Sequence, residues 1–153
     1  MKNLVLVEDQ DIYIRAFEEA LATVGPKMGW RHVKTIDNVN DAYSYICHVQ
    51  NGVEGAIIDM RIHRWKNDSR KIDLRAERVE GVDLIKRLNG SRGSELKVVI
   101  ITAFLSIGDP VRLAVEEACA SFPDLIVGKL SKSINCDQDM ANALYKLNHP
   151  DPP

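Results

Sequence analysis

Hydrophobic residues along this chain follow two patterns that alternate from one end to the other. Five short stretches are apolar or β-branched with little interruption, and they lie at Leu4–Val7, Arg31–Ile36, Gly55–Asp59, Lys97–Thr102 and Leu125–Val127. Between them, apolar residues recur at steps of three and four, which is the spacing of an amphipathic helix. Continuous apolar runs are typical of strands buried on both faces, as in a parallel sheet. The alternation predicts an α/β domain, a doubly wound five-stranded parallel sheet with helices on both faces.

Capping residues predict where the helices begin and end. Side chains that can accept hydrogen bonds from a first helical turn are found at Asp37 or Asn38, at Asp109 before Pro110, and at Ser133 or Asn135. Glycine and proline predict helix ends at Gly25-Pro26, Asn51-Gly52, Asn89-Gly90 and Phe122-Pro123. The predicted domain spans residues 1–148, and residues 149–153 are expected to form a disordered tail.

The segment from residue 61 to residue 80 interrupts this order. It holds seven Arg and Lys against four Asp and Glu, a local charge of 7 − 4 = +3 in a chain whose formal net charge is −2. One interpretation is a solvated, partly helical loop. The other is an element that docks a partner, because Trp65 lies among the arginines.

Composition changes this picture little. The chain has 153 residues, the size of one domain, and neither its net charge of −2 nor its pI of about 6.1 indicates binding to nucleic acid or to an anionic membrane. No segment has the length of a membrane span, and the N-terminal apolar run is too short for a signal peptide. The three cysteines are scattered, which is typical of reduced thiols in the cytosol. We therefore expect a cytoplasmic protein.

Reactive groups are concentrated at the ends of the predicted strands. Glu8 and Asp9 follow the first strand, Asp59 ends the third, Thr102 ends the fourth and Lys129 follows the fifth apolar run. In doubly wound sheets, functional groups gather outside the carboxyl ends of the strands. Three carboxylates there repel one another unless a cation neutralises them, and Mg²⁺ prefers such oxygen ligands. A hydroxyl and an ammonium beside a nucleophilic carboxylate favour phosphoryl transfer onto it. The sequence therefore predicts a metal and phosphoryl site.

These motifs, in this order, resemble the receiver domain of bacterial two-component response regulators over essentially the whole chain. The matching elements are Glu8-Asp9 after Leu4–Val7, Asp59 after Ala56–Ile58, Gly81-x-x-Leu84, Thr102-Ala103 after Val98–Ile101, and Lys129 after Leu125–Val127. The resemblance implies a flavodoxin-like sheet in the order 2-1-3-4-5. It also implies that Asp59 accepts a phosphoryl group, with Thr102 and Lys129 in contact with that group. The implied ligands of Mg²⁺ are Glu8, Asp9, Asp59 and the backbone carbonyl of Arg61.

Three features depart from the family pattern. Receivers usually have Pro directly after the lysine, where this chain has Leu130, and an aromatic switch residue in the last strand, where it has Ile126. The distance from Asp59 to Gly81 is 81 − 59 = 22 positions, which is much longer than in typical receivers. Residues 61–80 are therefore interpreted as an insertion beside the site.

Two of the site residues have a second interpretation. Asp59 could be a strand-end carboxylate that caps a loop or pairs with an arginine of the insertion. Lys129 has a rival in Lys132, because both flank the same loop. Lys129 is preferred because it directly follows the apolar run.

Together these features predict a single-domain response-regulator receiver, not an enzyme, that accepts a phosphoryl group from a histidine kinase or a phosphotransfer protein and then binds a protein partner. The first alternative is a pseudo-receiver, an interaction module whose site no longer responds to phosphate; the missing proline and aromatic residue favour it. The second is a metal-dependent phosphatase. The common aspartate-based phosphatases carry Asp-x-Asp after the first strand, where this chain has Glu8-Asp9-Gln10, and this disfavours the second alternative.

Overall fold

The computed structural model describes residues 1–62, 80–103 and 109–152. Within these ranges the strands are β1 Lys2–Val7, β2 Trp30–Ile36, β3 Val53–Ile58, β4 Lys97–Thr102 and β5 Ile126–Ser131. The α-helices of the same ranges are α1 Asp11–Val24, α2 Val39–Cys47, α3 Glu80–Arg92, α4 Pro110–Ser121 and α5 Cys136–Asn148. Strand and helix alternate throughout, as predicted. None of these helices has the length and apolar character needed to cross a membrane, and the cytoplasmic location stays a prediction.

The strands form one parallel sheet in the order β2-β1-β3-β4-β5. This confirms the expected flavodoxin-like order 2-1-3-4-5. Because β2 and β3 lie on opposite sides of β1, strand order reverses there, and crevices at such switch points are where functional groups collect. Val7 is in register with Ile58, so the residues that follow them, Glu8 and Asp59, lie side by side.

Each face of the sheet is covered by its own apolar layer. In β1, Leu4 and Leu6 belong to the layer under α1 and α5, whereas Val5 and Val7 belong to the layer under α2, α3 and α4, and all four are fully buried. A strand residue therefore alternates between two cores instead of between core and solvent. This explains why the strands read as continuous apolar runs.

The predicted helix starts agree with the structure. Asn38, Asp109 and Asn135 begin α2, α4 and α5, and each side chain accepts a hydrogen bond from a backbone N–H two or three residues later. Ser133, the alternative start of the last helix, instead donates its hydroxyl to Asp139 at 2.8 Å. These caps satisfy N–H groups that have no partner within the helix.

Two predicted helix ends are wrong. α3 continues past Asn89-Gly90, because Gly90 is in open space on the helix and does not have to break it. Gly93, with φ 52°, follows the helix instead. α2 ends already at Cys47, and a separate 3₁₀ turn over Val49–Asn51 leads to the predicted Asn51-Gly52.

The polar insertion lies for the most part outside the described residues, since 63–79 are not among them. Its flanks contact the rest of the domain. Ile62 is buried in the core, and the Gly81 N–H donates to the Met60 carbonyl at 2.9 Å. The two ends of the insertion therefore meet just beyond β3.

The C-terminal residues turn back along the last strand. The Asp151 N–H donates to the Val127 carbonyl at 2.8 Å, and Lys146 Nζ lies 2.8 Å from Asp151 Oδ1. These contacts hold the chain beside β5 as far as Asp151. The domain boundary at residue 148 and the disorder of residues 149–153 stay predictions.

Candidate functional site

The carboxyl ends of β1 and β3 bring acidic residues to one edge of the sheet. Glu8 donates its backbone N–H to the Ile36 carbonyl at 3.0 Å, and Asp59 donates its own to the Val7 carbonyl at 2.9 Å. Each residue thereby continues the hydrogen bonding between neighbouring strands by one residue. These hydrogen bonds determine the positions from which the two side chains extend.

Three carboxylates come together at this edge. Oxygens of Glu8, Asp9 and Asp59 lie within 4.8 Å of one another; Glu8 and Asp59 are buried, and Asp9 is partly exposed. Asp59 Oδ1 accepts the Arg61 N–H at 3.1 Å, and Glu8 Oε1 accepts the Gln10 N–H at 3.2 Å. Carboxylate oxygens at this spacing suit a hard divalent cation. The structure brings together the three acids named from the sequence, and their binding of Mg²⁺ stays a prediction.

The lysine at this cluster is Lys132, not Lys129. Lys132 Nζ lies 2.8 Å from Glu8 Oε2 and 2.9 Å from Asp59 Oδ2, and only 2% of its side chain is exposed. Lys129 lies inside β5 with an exposed side chain, where its charge acts on Glu116 of α4. The preference for Lys129 is thus corrected, and its rival takes its place.

The length of the last strand explains this correction. β5 runs as far as Ser131, which is in register with Thr102 at the end of β4, and Lys132 is the first residue beyond it. The apolar run stops earlier, at Val127, but Leu130 packs against the core again. The polar Lys129 is followed by the apolar Leu130, and this alternation is typical of a strand. It is a signal in the sequence that the strand continues beyond Val127.

Burial and charge together shift the pKa values of the cluster. Burial of Glu8, reinforced by the adjacent Asp59 carboxylate, raises the pKa of Glu8 to about 8, although Lys132 opposes this shift. Burial disfavours the charged form of Lys132, but the two carboxylates outweigh burial and raise its pKa above the ordinary value. Lys132 therefore stays charged at neutral pH. A divalent cation that displaces the Glu8 proton would meet three carboxylates and one ammonium, a charge of −3 + 1 = −2 that it would balance.

Thr102 brings a hydroxyl to the same edge. Its side chain is fully buried, and among the described residues its Oγ1 has no hydrogen-bond partner. Its carbonyl accepts the Lys132 N–H at 2.9 Å, which ties the threonine to the site lysine. A buried hydroxyl without a hydrogen-bond partner is unfavourable. A ligand with an acceptor oxygen at this edge could therefore accept a hydrogen bond from Thr102.

The loop after Asp59 is held by the two helices that follow it. A Cβ at Gly81 would lie 2.6 Å from the Met60 Cα, so glycine is required for α3 to approach this closely. Arg61 Nη2 lies 3.8 Å from Oδ1 of Asp109, the residue that begins α4. The role of the Arg61 carbonyl as a metal ligand stays a prediction.

Comparison with known proteins identifies the fold. No protein-family model and no curated protein sequence matches this chain. Among solved structures, the response regulator domain of Thermotoga maritima CheB is similar with a TM-score of 0.67 at 10% identity, covering 99% of both chains. A LuxR-family DNA-binding response regulator from Staphylococcus aureus has a TM-score of 0.67 at 16% identity, over 97% of this chain and 100% of that chain.

A third similar structure is the signal receiver domain of the response regulator NarL from Mycobacterium tuberculosis. Its TM-score is 0.65 at 16% identity, and 97% of each chain is covered. At these identities the likeness concerns the fold. The chain has the fold of response-regulator receiver domains over nearly its full length.

Proposed function

We propose that this chain is a phosphoryl-accepting signalling protein of the receiver type, with Asp59 as the acceptor. The observation that carries the proposal is the position of Lys132, whose ammonium contacts Glu8 and Asp59 beside Asp9. The receiver fold supports the proposal, because functional groups of doubly wound sheets gather outside the carboxyl ends of the strands, and these four side chains lie there. The phosphoryl donor would be a histidine kinase or a phosphotransfer protein.

The transfer we propose begins with an Asp59 carboxylate oxygen. It attacks the phosphorus of a phosphohistidine in line; the new O–P bond forms while the N–P bond breaks, and the electron pair stays on the donor's nitrogen. Lys132 then pairs with a phosphoryl oxygen, and the Thr102 hydroxyl donates to another. Glu8, Asp9 and Asp59 would hold Mg²⁺, which supplies positive charge to the transferring group.

The product is an acyl phosphate on the protein itself. The chain would therefore act as a phosphoryl carrier and not as an enzyme, since one group is accepted per molecule and no substrate is turned over. The new charge on Asp59 would bias the surface near α4 and β5 that a partner recognises.

The test is phosphorylation by a small donor. We expect incubation with acetyl phosphate and Mg²⁺ to add the mass of one phosphoryl group, and we expect Asp59→Asn or removal of Mg²⁺ with EDTA to abolish the gain. Lys132→Met should slow the gain strongly, whereas Lys129→Met, the matched control, should not. A wild-type protein that stays unmodified, or an Asp59→Asn variant that gains the same mass, would refute the proposal.

A pseudo-receiver is the second candidate, and two observations favour it. If Lys129 is the site lysine, the aromatic switch position three residues earlier holds Ile126. Counting back three residues from Lys132 places Lys129 there instead, which is exposed and not aromatic. Ser133 follows the site lysine, so proline is missing there as well. This candidate predicts no mass gain with acetyl phosphate and partner binding that Asp59→Asn leaves unchanged.

We propose that the insertion docks a partner together with the surface near α4 and β5. Its described ends are joined by the Gly81 to Met60 hydrogen bond, so residues 67–77 can be removed without separating them. The deletion shortens the segment between Ile62 and Glu80 from 17 to 6 residues, which changes the free energy of loop closure by only ~1 kcal/mol. We expect the deletion variant to fold and to accept a phosphoryl group but to lose partner binding. Loss of the fold would contradict this role.

A further inference from the structure

Tyr13 in α1 lies against the site lysine. The centre of its ring is 4.0 Å from Lys132 Nζ. The ring also contacts Phe17, with ring centres 5.5 Å apart, and Phe17 is fully buried. The tyrosine ring is thus anchored to the core while it meets the ammonium. The sequence pattern did not single it out, because Tyr13 belongs to a helix and not to a strand end.

Within the described ranges, the Lys132 ammonium contacts three side chains of two kinds. Two are the carboxylates of Glu8 and Asp59, at 2.8 and 2.9 Å, and the third is the face of Tyr13. Attraction between a cation and an aromatic face strengthens when water is excluded, and only 2% of the lysine side chain is exposed. The attraction comes from the electron-rich face of the ring, so the contact adds no negative charge beside the ammonium.

We propose that Tyr13 is a positioning residue that fixes the Lys132 ammonium at the point where the phosphoryl group arrives. This inference rests on the proposed function and adds how the site holds its lysine. The carboxylates change during the transfer, since Asp59 becomes an acyl phosphate. The contact with Tyr13 involves no reacting atom and stays in place throughout. A lysine side chain that is already located loses little freedom when it pairs with the phosphoryl group.

The experiment compares Tyr13→Phe, which keeps the aromatic face, with Tyr13→Leu, which removes it. In the acetyl phosphate assay, we expect Tyr13→Leu to lower the phosphorylation rate by about 5- to 30-fold, because the lysine side chain regains rotational freedom that it must lose again when it pairs with the phosphoryl group. Tyr13→Phe should stay within about twofold of wild type, because the hydroxyl is not required. Fluorinated phenylalanines at position 13 weaken the ring's attraction for a cation while keeping its shape, so they should lower the rate in graded steps.

A second measurement needs neither metal nor phosphoryl donor. In NMR spectra of the metal-free protein, the Lys132 side-chain resonances next to the ammonium should carry an upfield ring-current shift in wild type and Tyr13→Phe, and lose it in Tyr13→Leu. The resonances of Lys129 serve as the control and should not move. If Tyr13→Leu does not fold, Tyr13→Met and the fluorinated series replace it.

The outcomes separate this inference from the proposed function. Wild-type rates in Tyr13→Leu, or rates that do not depend on ring fluorination, would overturn it, as would unshifted Lys132 resonances in the wild type. If the wild-type protein accepts no phosphoryl group, the proposed function fails, and the NMR comparison still decides whether the ring holds the lysine.

Discussion

Replacing Lys132 with methionine tests the arrangement of the site most directly. The substitution removes the ammonium but keeps an unbranched apolar side chain against Tyr13. In the absence of metal, Glu8 and Asp59 then lie buried beside each other with no cation between them. Lys129→Met is the matched control, because it makes the same exchange three positions earlier, where the side chain is exposed.

The size of the effect follows from distance and burial. The ammonium is 2.8 and 2.9 Å from the two carboxylates, and the side chains of Lys132, Glu8 and Asp59 are 2%, 0% and 3% exposed, so water screens the pairs weakly. Removing one member of a buried ion pair lowers the free energy of unfolding by ~3–5 kcal/mol, because the remaining charge is left uncompensated. The pKa of Glu8 is raised to about 8, so Glu8 already holds a proton at pH 6 and the substitution removes one ion pair there, whereas at pH 9 it removes two. We therefore expect a larger loss at pH 9 than at pH 6.

Urea denaturation in EDTA measures this loss, and the same titration with Mg²⁺ measures its recovery. We expect Lys132→Met to be destabilised by a few kcal/mol and Mg²⁺ to restore part of the difference, because it replaces the lost positive charge. Lys129→Met should stay within ~0.5 kcal/mol of wild type, as is usual for exposed positions. Equal losses in the two variants, or a larger loss in Lys129→Met, would show that Lys132 is not the lysine of this cluster.

Three further predictions follow from individual residues. The raised pKa of Glu8 means that the folded state retains a proton that the unfolded chain releases above pH 4.5, so in EDTA the free energy of unfolding should fall as pH rises from 4.5 to about 8 and then level off; urea titrations that show a rise over this range would contradict the shift. Gly81→Ala should destabilise by ~1–3 kcal/mol in thermal or urea unfolding, because its Cβ meets the backbone of the preceding loop. In the same helix, Gly90→Ala has open space and should stabilise by ~0.5–1 kcal/mol, so equal effects of the two variants would refute the steric argument. Arg61→Ala should speed hydrolysis of the phosphoryl group on Asp59, since Arg61 lies two positions away and would hinder the attacking water; an unchanged hydrolysis rate, followed by intact mass, would exclude this role.

The sequence by itself determined the fold class and most of the element order. Strands buried on both faces read as continuous apolar runs, and the intervening helices have the period of three and four residues. The bounds of β1 to β4 were therefore predicted within two residues at each end, and the start of β5 within one. Caps such as Asn38 and Asp109 were also predictable, because their hydrogen bonds reach only two or three residues along the chain. The acids at the edge followed from the same logic, since parallel strands end on one side of the sheet.

The site lysine was decided only by tertiary structure. The end of β5 is set by its pairing with β4, which continues to Thr102 and Ser131, and that pairing depends on contacts about 30 residues apart. A local apolar run stops at Val127 and therefore points to Lys129. β5 continues four residues beyond Val127, to Ser131, and the next residue is Lys132.

Contacts through space explain the rest of what the sequence left open. Tyr13 reaches Lys132 from a helix on one face of the sheet, and the pKa of Glu8 depends on burial by many elements at once. Periodicity reports which face of an element is apolar, but it carries no information on which polar groups of different elements will touch. The chain's pattern therefore determined the scaffold, and only the folded structure decided which ammonium, ring and carboxylates share one small, water-excluded space.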